Sequence, residues 1–154
     1  MEKKMEPTLE ETLIIATTAH FGQKDKGGAP YILHPIRVML QQRDETAMKV
    51  ALLHDVVEDT NITLENLKMK GYSHAVLDAV DHLTKKQRED YEAFILRASE
   101  NEISRAVKIA DLKDNMDLNR IARKEERDYI RIEKYKKALL FLEINVLMRN
   151  EEQR

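Results

Sequence analysis

Residues 47–59 read Ala-Met-Lys-Val-Ala-Leu-Leu-His-Asp-Val-Val-Glu-Asp. Wound at about 3.6 residues per turn, the segment turns Val50, Leu53 and Val57 to one side, and Leu52 and Val56 extend it. The opposite stripe holds Ala51, His54, Asp55 and Glu58 at i, i+3, i+4 and i+7. Most of the circumference is apolar, so the spacing predicts a central helix. Such a helix must satisfy its His, Asp and Glu, because an unpaired buried charge is either very costly or neutralised. A solvated acidic edge is one solution. A bound cation is another, since it turns clustered carboxylates into ligands.

Outward from this segment the chain reads as helix nearly throughout. Helical spacing predicts elements over Leu9–Gln23, Pro35–Arg43, Glu45–Asp59, Thr63–Lys70, Ser73–Thr84, Asp90–Ser99, Ile103–Met116 and Glu125–Arg149. Thr8 with Glu11 forms a capping-box pattern before the first. Pro35 suits a first helical turn, and Gly71 is a stop signal. No period-2 strand pattern stands out. The expectation is an all-α helical bundle of about seven or eight helices, one domain spanning residues 1–154. Only four Gly and three Pro occur, and Lys26-Gly27-Gly28-Ala29-Pro30 is the strongest loop signal.

Composition narrows the chemistry. The 154 residues include 26 Lys plus Arg against 28 Asp plus Glu, a net charge of -2 that argues against nucleic-acid binding through phosphate neutralisation. The absence of cysteine excludes disulfides, thiolate metal sites and thiol nucleophiles. No apolar run has the length of a membrane span, and Met1–Glu6 lacks an apolar signal core. A cytoplasmic protein without membrane or nucleic-acid partners is expected.

Three further polar residues interrupt apolar stretches. His34 sits in Tyr-Ile-Leu-His-Pro just after the glycine loop. Asp111 sits in Val107-Lys-Ile-Ala-Asp-Leu, and Asn115 follows one turn later on the same face. Each alone is commonly a hydrogen-bonded polar residue. Together with His54 and Asp55 they offer two His and two Asp, a set suited to a first-row divalent ion. His20 reads as a core histidine, as a support for the site, or as a direct contact to substrate or metal, and His74 and His82 read as surface residues. Residues 120–137 hold eight Lys or Arg against four Asp or Glu. They read as a solvated helix face or as a phosphate-attracting rim.

The order His34, His54-Asp55, Asp111 resembles the HD-domain metal-dependent phosphohydrolases. Closer still is the resemblance to the hydrolase domain of RelA/SpoT-type alarmone enzymes and to small stand-alone alarmone hydrolases. It is carried by Ala19-His20-Phe-Gly-Gln23, Gly28-Ala-Pro-Tyr-Ile-Leu-His34-Pro35, Leu53-His54-Asp-Val-Val-Glu-Asp59-Thr60, Leu83-Thr84-Lys85 and Val107-Lys-Ile-Ala-Asp111 with Asn115-Met116. The resemblance implies an α-helical fold around one divalent metal, usually manganese, held by His34, His54, Asp55 and Asp111. It implies that Glu58 and Asp59 act on the attacking water, and that Lys26, Asn115 and Tyr135 contact a phosphorylated nucleotide. The implied reaction removes pyrophosphate from the 3′ position of guanosine tetra- or pentaphosphate.

Two positions depart from that pattern. Asp25 stands where the family often has an Arg, and Met116-Asp117-Leu118 lacks another Arg. Arg120, Arg123 and Lys124 are candidates to replace those cations. The alternatives are a phosphatase of the same type acting on another small phosphorylated substrate, and a non-catalytic nucleotide-binding module. The Tyr- and Leu-rich last helix offers a surface for a homo-oligomer, whose state the sequence leaves open.

Overall fold

The computed structural model describes residues 4–154. Met1–Lys3, part of the span expected to form one domain, lie outside them. The described residues are helical, in order α1 (Leu9–Ala19), α2 (Leu33–Leu40), α3 (Glu45–Leu53), α4 (Val56–Asp59), α5 (Leu64–Lys70), α6 (His74–Leu83), α7 (Tyr91–Ser99), α8 (Glu102–Asn115) and α9 (Glu126–Glu152). A short 3-10 turn, Leu118–Arg120, precedes α9. Eight helices have seven residues or more and α4 is a single turn, so the expected all-α bundle is what forms. Extended pairing among the described residues is limited to one bridge between Lys24 and Pro30.

Local chemistry explains the boundaries. Thr8 and Glu11 close the expected capping box on α1, and Thr63 with Asn66 closes another on α5. Gly71 stops α5 at φ +103°, a conformation that suits glycine. The first helix ends at Ala19 rather than Gln23, because Gly22 adopts φ +84° and turns the chain. Pro35 lies in the first turn of α2, where its missing N–H leaves no bond broken. The last helix runs past Arg149 to Glu152.

The central helix is a correction as well as a success. In α3, Ala47 and all residues from Lys49 to Leu53 are buried, so it is surrounded as expected. It does not continue to Asp59. The ring N–H of His54 donates to the Ala51 carbonyl (2.6 Å), the acceptor that an unbroken helix gives to the Asp55 amide. The backbone leaves helical geometry at Asp55 (φ −106°, ψ −2°) and restarts as the single turn α4.

Two apolar cores meet at α8. One gathers Val38, Val50–Leu53, Val56, Leu67, Val76 and Val80 with Val107 and Ala110 of α8. The other packs Phe94 and Ile95 of α7 and Ala138 and Leu142 of α9 against Leu112. Asp111 is therefore wedged between two apolar layers.

Arg97 clamps the connection between α6 and α7. It makes a bidentate pair with Glu89 (2.8 and 2.9 Å) and donates to the carbonyls of Asp81 and Thr84. The Arg97 hydrogen bonds hold the Glu89 carboxyl at about 2, against its ordinary 4.5. A depressed carboxyl adds stability that is complete above the ordinary value and is lost as pH falls from about 4.5 to about 2. Glu89→Gln is expected to cost about 1–2 kcal/mol at neutral pH in urea unfolding. The gap from wild type should narrow through that acidic window, and a gap that stays constant would contradict the pairing.

Candidate metal centre

Three stretches of chain build the site. The first is the glycine loop. The Asp25 carboxylate accepts from the amides of Gly27 and Ala29 (2.9 Å each), which folds the loop on itself. Gly27 lies so close to the 3-10 turn that a Cβ there would collide with the Arg120 carbonyl oxygen. The loop delivers Tyr31 and then His34, which is buried in the first turn of α2. The second stretch is the break after α3, which exposes the edges of His54 and Asp55 to one point. The third is α8, which presents Asp111.

The hydrogen bonds assign the histidine tautomers. His54 Nδ1 faces the Ala51 carbonyl, which can only accept, so Nδ1 carries the proton. His34 Nδ1 faces the Asp114 carboxylate at 2.6 Å and is likewise the donor. In the neutral rings both Nε2 atoms then carry lone pairs, and they face each other at 3.3 Å. Asp111 Oδ1 lies 3.0 Å from His34 Nε2 and 3.5 Å from His54 Nε2. Asp55 Oδ2 lies 3.0 and 3.8 Å from the His54 and His34 nitrogens. With both rings neutral, four electron-pair donors converge with no hydrogen between them. That arrangement repels itself unless positive charge enters it, as protons on the rings or as a cation at its centre.

The titration behaviour has the same cause. Burial opposes protonation of His34 and His54, yet the facing carboxylates outweigh it and raise both, His54 well above its ordinary value. Burial pushes Asp55 up, but the His54 ring outweighs it and holds the carboxyl at about 2. Asp111 is buried too, and Lys108 and the two rings hold it well below the usual carboxylate range. Ligand atoms around a cation with bonds of about 2.0–2.2 Å stand roughly 3–3.5 Å apart, as those of His34, His54 and Asp111 do, while Asp55 lies 3.0 Å from the His54 nitrogen and 3.8 Å from that of His34. Two imidazoles and two carboxylates fit a divalent first-row ion.

A network behind the site fixes these groups. Asp114 orients His34 and is itself held by Arg37 (2.7 and 3.1 Å) and Arg120 (3.2 Å). Asn115 donates to Asp111 Oδ1 (2.8 Å), and Lys108 donates to Oδ2 (2.7 Å). Tyr31 donates to Asp55 Oδ2. None of Asp114, Arg37, Tyr31 and Lys108 stood out as a site residue in the sequence. Their signal was helical spacing: Arg37 is three residues after His34, and Asp114 is three after Asp111.

Of the four expected ligands, His34, His54 and Asp111 form one group of mutually close donor atoms; Asp55 adjoins it at the His54 and His34 rings and groups with Glu58 and Asp59 on its other side. Glu58 and Asp59 line a cavity of about 540 Å³ with Asp55, Asp111, Lys85, Lys108 and Lys134. Glu58 accepts from the Lys85 amide (2.8 Å), and burial still pushes its pKa up. Burial also raises Asp59. A second cavity of about 250 Å³ holds Lys26, His34, Arg37, Arg120 and Arg131. Asn115 and Tyr135 line both cavities, so they join at the expected contact residues. Of the candidate replacement cations, Arg120 lines a cavity, although Asp114 engages it; Arg123 and Lys124 do not. Arg131 of α9 also lines that cavity, and Asp128 engages its guanidinium (3.1 Å).

The other histidines differ. His20 is buried, bonds to Gln23 (2.8 Å) and lies against the Tyr31 ring. His74 is exposed. His82 is half-buried and reaches back to the Asp78 carbonyl (2.7 Å).

No family model matches the chain. Over 127 residues, 75% of its length, it is 34% identical to a guanosine-3′,5′-bis(diphosphate) 3′-pyrophosphohydrolase of Aquifex aeolicus. Over 117 residues, 67% of its length, it is 38% identical to the protein of that name from Haemophilus influenzae. It is 32% identical over 78% of its length to a GTP pyrophosphokinase of Streptomyces coelicolor. The chain spans 18%, 17% and 16% of these three relatives. Among solved structures it resembles one described as a metazoan ortholog of SpoT that hydrolyzes ppGpp. That likeness has a TM-score of 0.74 at 23% identity and covers 97% of this chain and 98% of the other. It extends the similarity of fold over nearly the whole length.

Asp114→Asn keeps the shape but weakens the anchor that fixes the His34 ring. Its affinity for manganese, measured by calorimetry, is expected to fall about 10–100-fold. Unchanged affinity would show that His34 needs no such anchor.

Proposed function

The chain belongs to the RelA/SpoT-type family of HD domains, and from that premise we propose that it is a metal-dependent phosphohydrolase. Its preferred substrate is a guanosine 3′-diphosphate alarmone, from which it releases pyrophosphate. The observation that supports this most is the convergence of two imidazole nitrogens and two carboxylate oxygens beside a cavity lined by both carboxylates and lysines.

His34, His54, Asp55 and Asp111 hold the ion, with manganese the first choice. When bound, the ion polarises a phosphoryl oxygen and lowers the pKa of a coordinated water. The chain's own residues do the rest. The oxygen of water forms a bond to the phosphorus attached to the ribose 3′ oxygen, and the bond between that phosphorus and O3′ breaks. Glu58, with its raised pKa, takes the water proton or returns one to the leaving oxygen. The Lys85 amide keeps one Glu58 oxygen engaged, which aims the other. Asp59 supports the same water. Lys26, Asn115 and Tyr135 contact the nucleotide, and Lys108 and Lys134 offset the charge of the 3′ diphosphate.

A second reading rests on Asp25 and Asp117, two carboxylates on the cavity that also holds Lys26. They weaken the attraction for a highly charged alarmone and favour a less charged phosphoester. The products separate the two readings, since an alarmone hydrolase releases pyrophosphate and a phosphatase releases orthophosphate.

Manganese-loaded protein incubated with guanosine 3′,5′-bis(diphosphate) is expected to yield pyrophosphate. His54→Ala and Asp55→Ala should abolish the release. Glu58→Gln should keep manganese affinity and lose about 10²–10⁴-fold in turnover. Normal turnover by that variant would remove Glu58 from its role, and orthophosphate alone from a nucleotide panel would favour the second reading.

A further inference from the structure

One face of α9 has no partner among the described residues. Leu140, Phe141, Ile144, Leu147 and Met148 are 40–64% exposed. They form a continuous apolar stripe on a helix whose other side packs through Ile132, Ala138 and Leu142. At about 100° per residue, Leu142 and Tyr135 point almost directly away from Ile144.

The stripe reads the same in both directions from Ile144. Three and four residues before it stand Phe141 and Leu140, and three and four residues after it stand Leu147 and Met148. Seven and eight residues before it stand Lys137 and Lys136, and seven and eight residues after it stand Glu151 and Glu152. All four charged residues are exposed. The apolar part is symmetric about Ile144 and the charges are antisymmetric.

We infer that this face pairs with the same face of a second copy of the chain, antiparallel, about a two-fold axis at Ile144. In that arrangement Ile144 meets its own counterpart, Leu140 meets Met148, and Phe141 meets Leu147. Lys136 and Lys137 of each copy meet Glu152 and Glu151 of the other. A two-fold contact must be self-complementary, and this pattern is. A parallel pair would set lysines against lysines. The exposed stripe amounts to roughly 500 Å² per copy, so the pair reaches the low end of specific interfaces at about 1,000 Å². The contact is a reversible one. It leaves Tyr135 on the far side of the helix, still facing the cavities, and it does not depend on the proposed reaction.

Sedimentation velocity of the full chain over about 10–500 µM, a range matched to a contact of this size, should show mass rising from 18.0 kDa towards twice that. Ile144→Glu should leave monomer. Lys136→Glu with Lys137→Glu, and separately Glu151→Lys with Glu152→Lys, should each weaken self-association at least about tenfold. Mixing those two variants should restore the dimer, because opposite charges then meet at both ends. The chain has no cysteine, so Ile144→Cys supplies a single thiol. Oxidation should link it into covalent dimers, whereas Met69→Cys on the exposed side of α5 should form no covalent link. Monomer at every concentration, or a dimer indifferent to Ile144→Glu and to both charge reversals, would overturn the pairing. So would co-flotation of monomer with anionic lipid vesicles that Ile144→Glu abolishes, since a lipid surface would then be the occupant.

Discussion

Four electron-pair donors share one small volume, and their mutual repulsion is the constraint that the rest of the site answers. Each of the two rings has its Nδ1 proton spoken for, by Ala51 in one case and Asp114 in the other. Their Nε2 lone pairs are therefore committed to the same point as Asp55 and Asp111. Without an ion the rings relieve the repulsion by taking up protons, which is why both titrate above the ordinary value. The hydrogen bonds behind the rings keep each Nε2 aimed inward, so a cation can replace those protons without the rings turning. The lysine on Asp111 and the tyrosine on Asp55 bind the carboxylates, leaving the shared centre to the ion.

The fold supplies this geometry by interrupting its most buried helix. Had α3 continued through Asp59, the Ala51 carbonyl would have been used by the backbone and the His54 ring left without its anchor. The break gives up helical hydrogen bonds between two fully buried residues, Leu53 and Val56. Packing on both sides makes that tolerable. Burying a side chain such as Leu52 or Leu53 contributes about 1.5–3 kcal/mol, against about 1 kcal/mol for a backbone hydrogen bond. The position of Asp111 between Ala110 and Leu112, one facing each core, fixes the carboxylate as firmly as the cores themselves are fixed.

Much of this was legible in the sequence. The apolar circumference of residues 47–59 announced a central helix, Thr8 and Thr63 announced helix starts, and His34, His54, Asp55 and Asp111 stood out as polar residues in apolar runs. The break was not legible, because helical periodicity continues through it and only a side-chain competitor for the Ala51 carbonyl ends the helix. Nor was the Asp114–Arg37 pair, which joins residues 77 apart in the chain. Helical spacing puts each of them one turn from a candidate ligand, but nothing in the sequence pairs two residues at such a separation, and in a chain with this many charges each reads as surface. Asp25 looked like a lost cation. Its structural work, closing the loop through the Gly27 and Ala29 amides, depends on a turn that composition alone does not specify.

The central claim is that both imidazoles bind one cation through Nε2. Pulsed electron paramagnetic resonance of the manganese-loaded protein, with histidine labelled by nitrogen-15, tests it directly. Two directly bound imidazole nitrogens are expected, with one lost in His34→Ala and the other in His54→Ala. A manganese signal free of nitrogen coupling, or coupled to a single ring that neither substitution removes, would contradict the account.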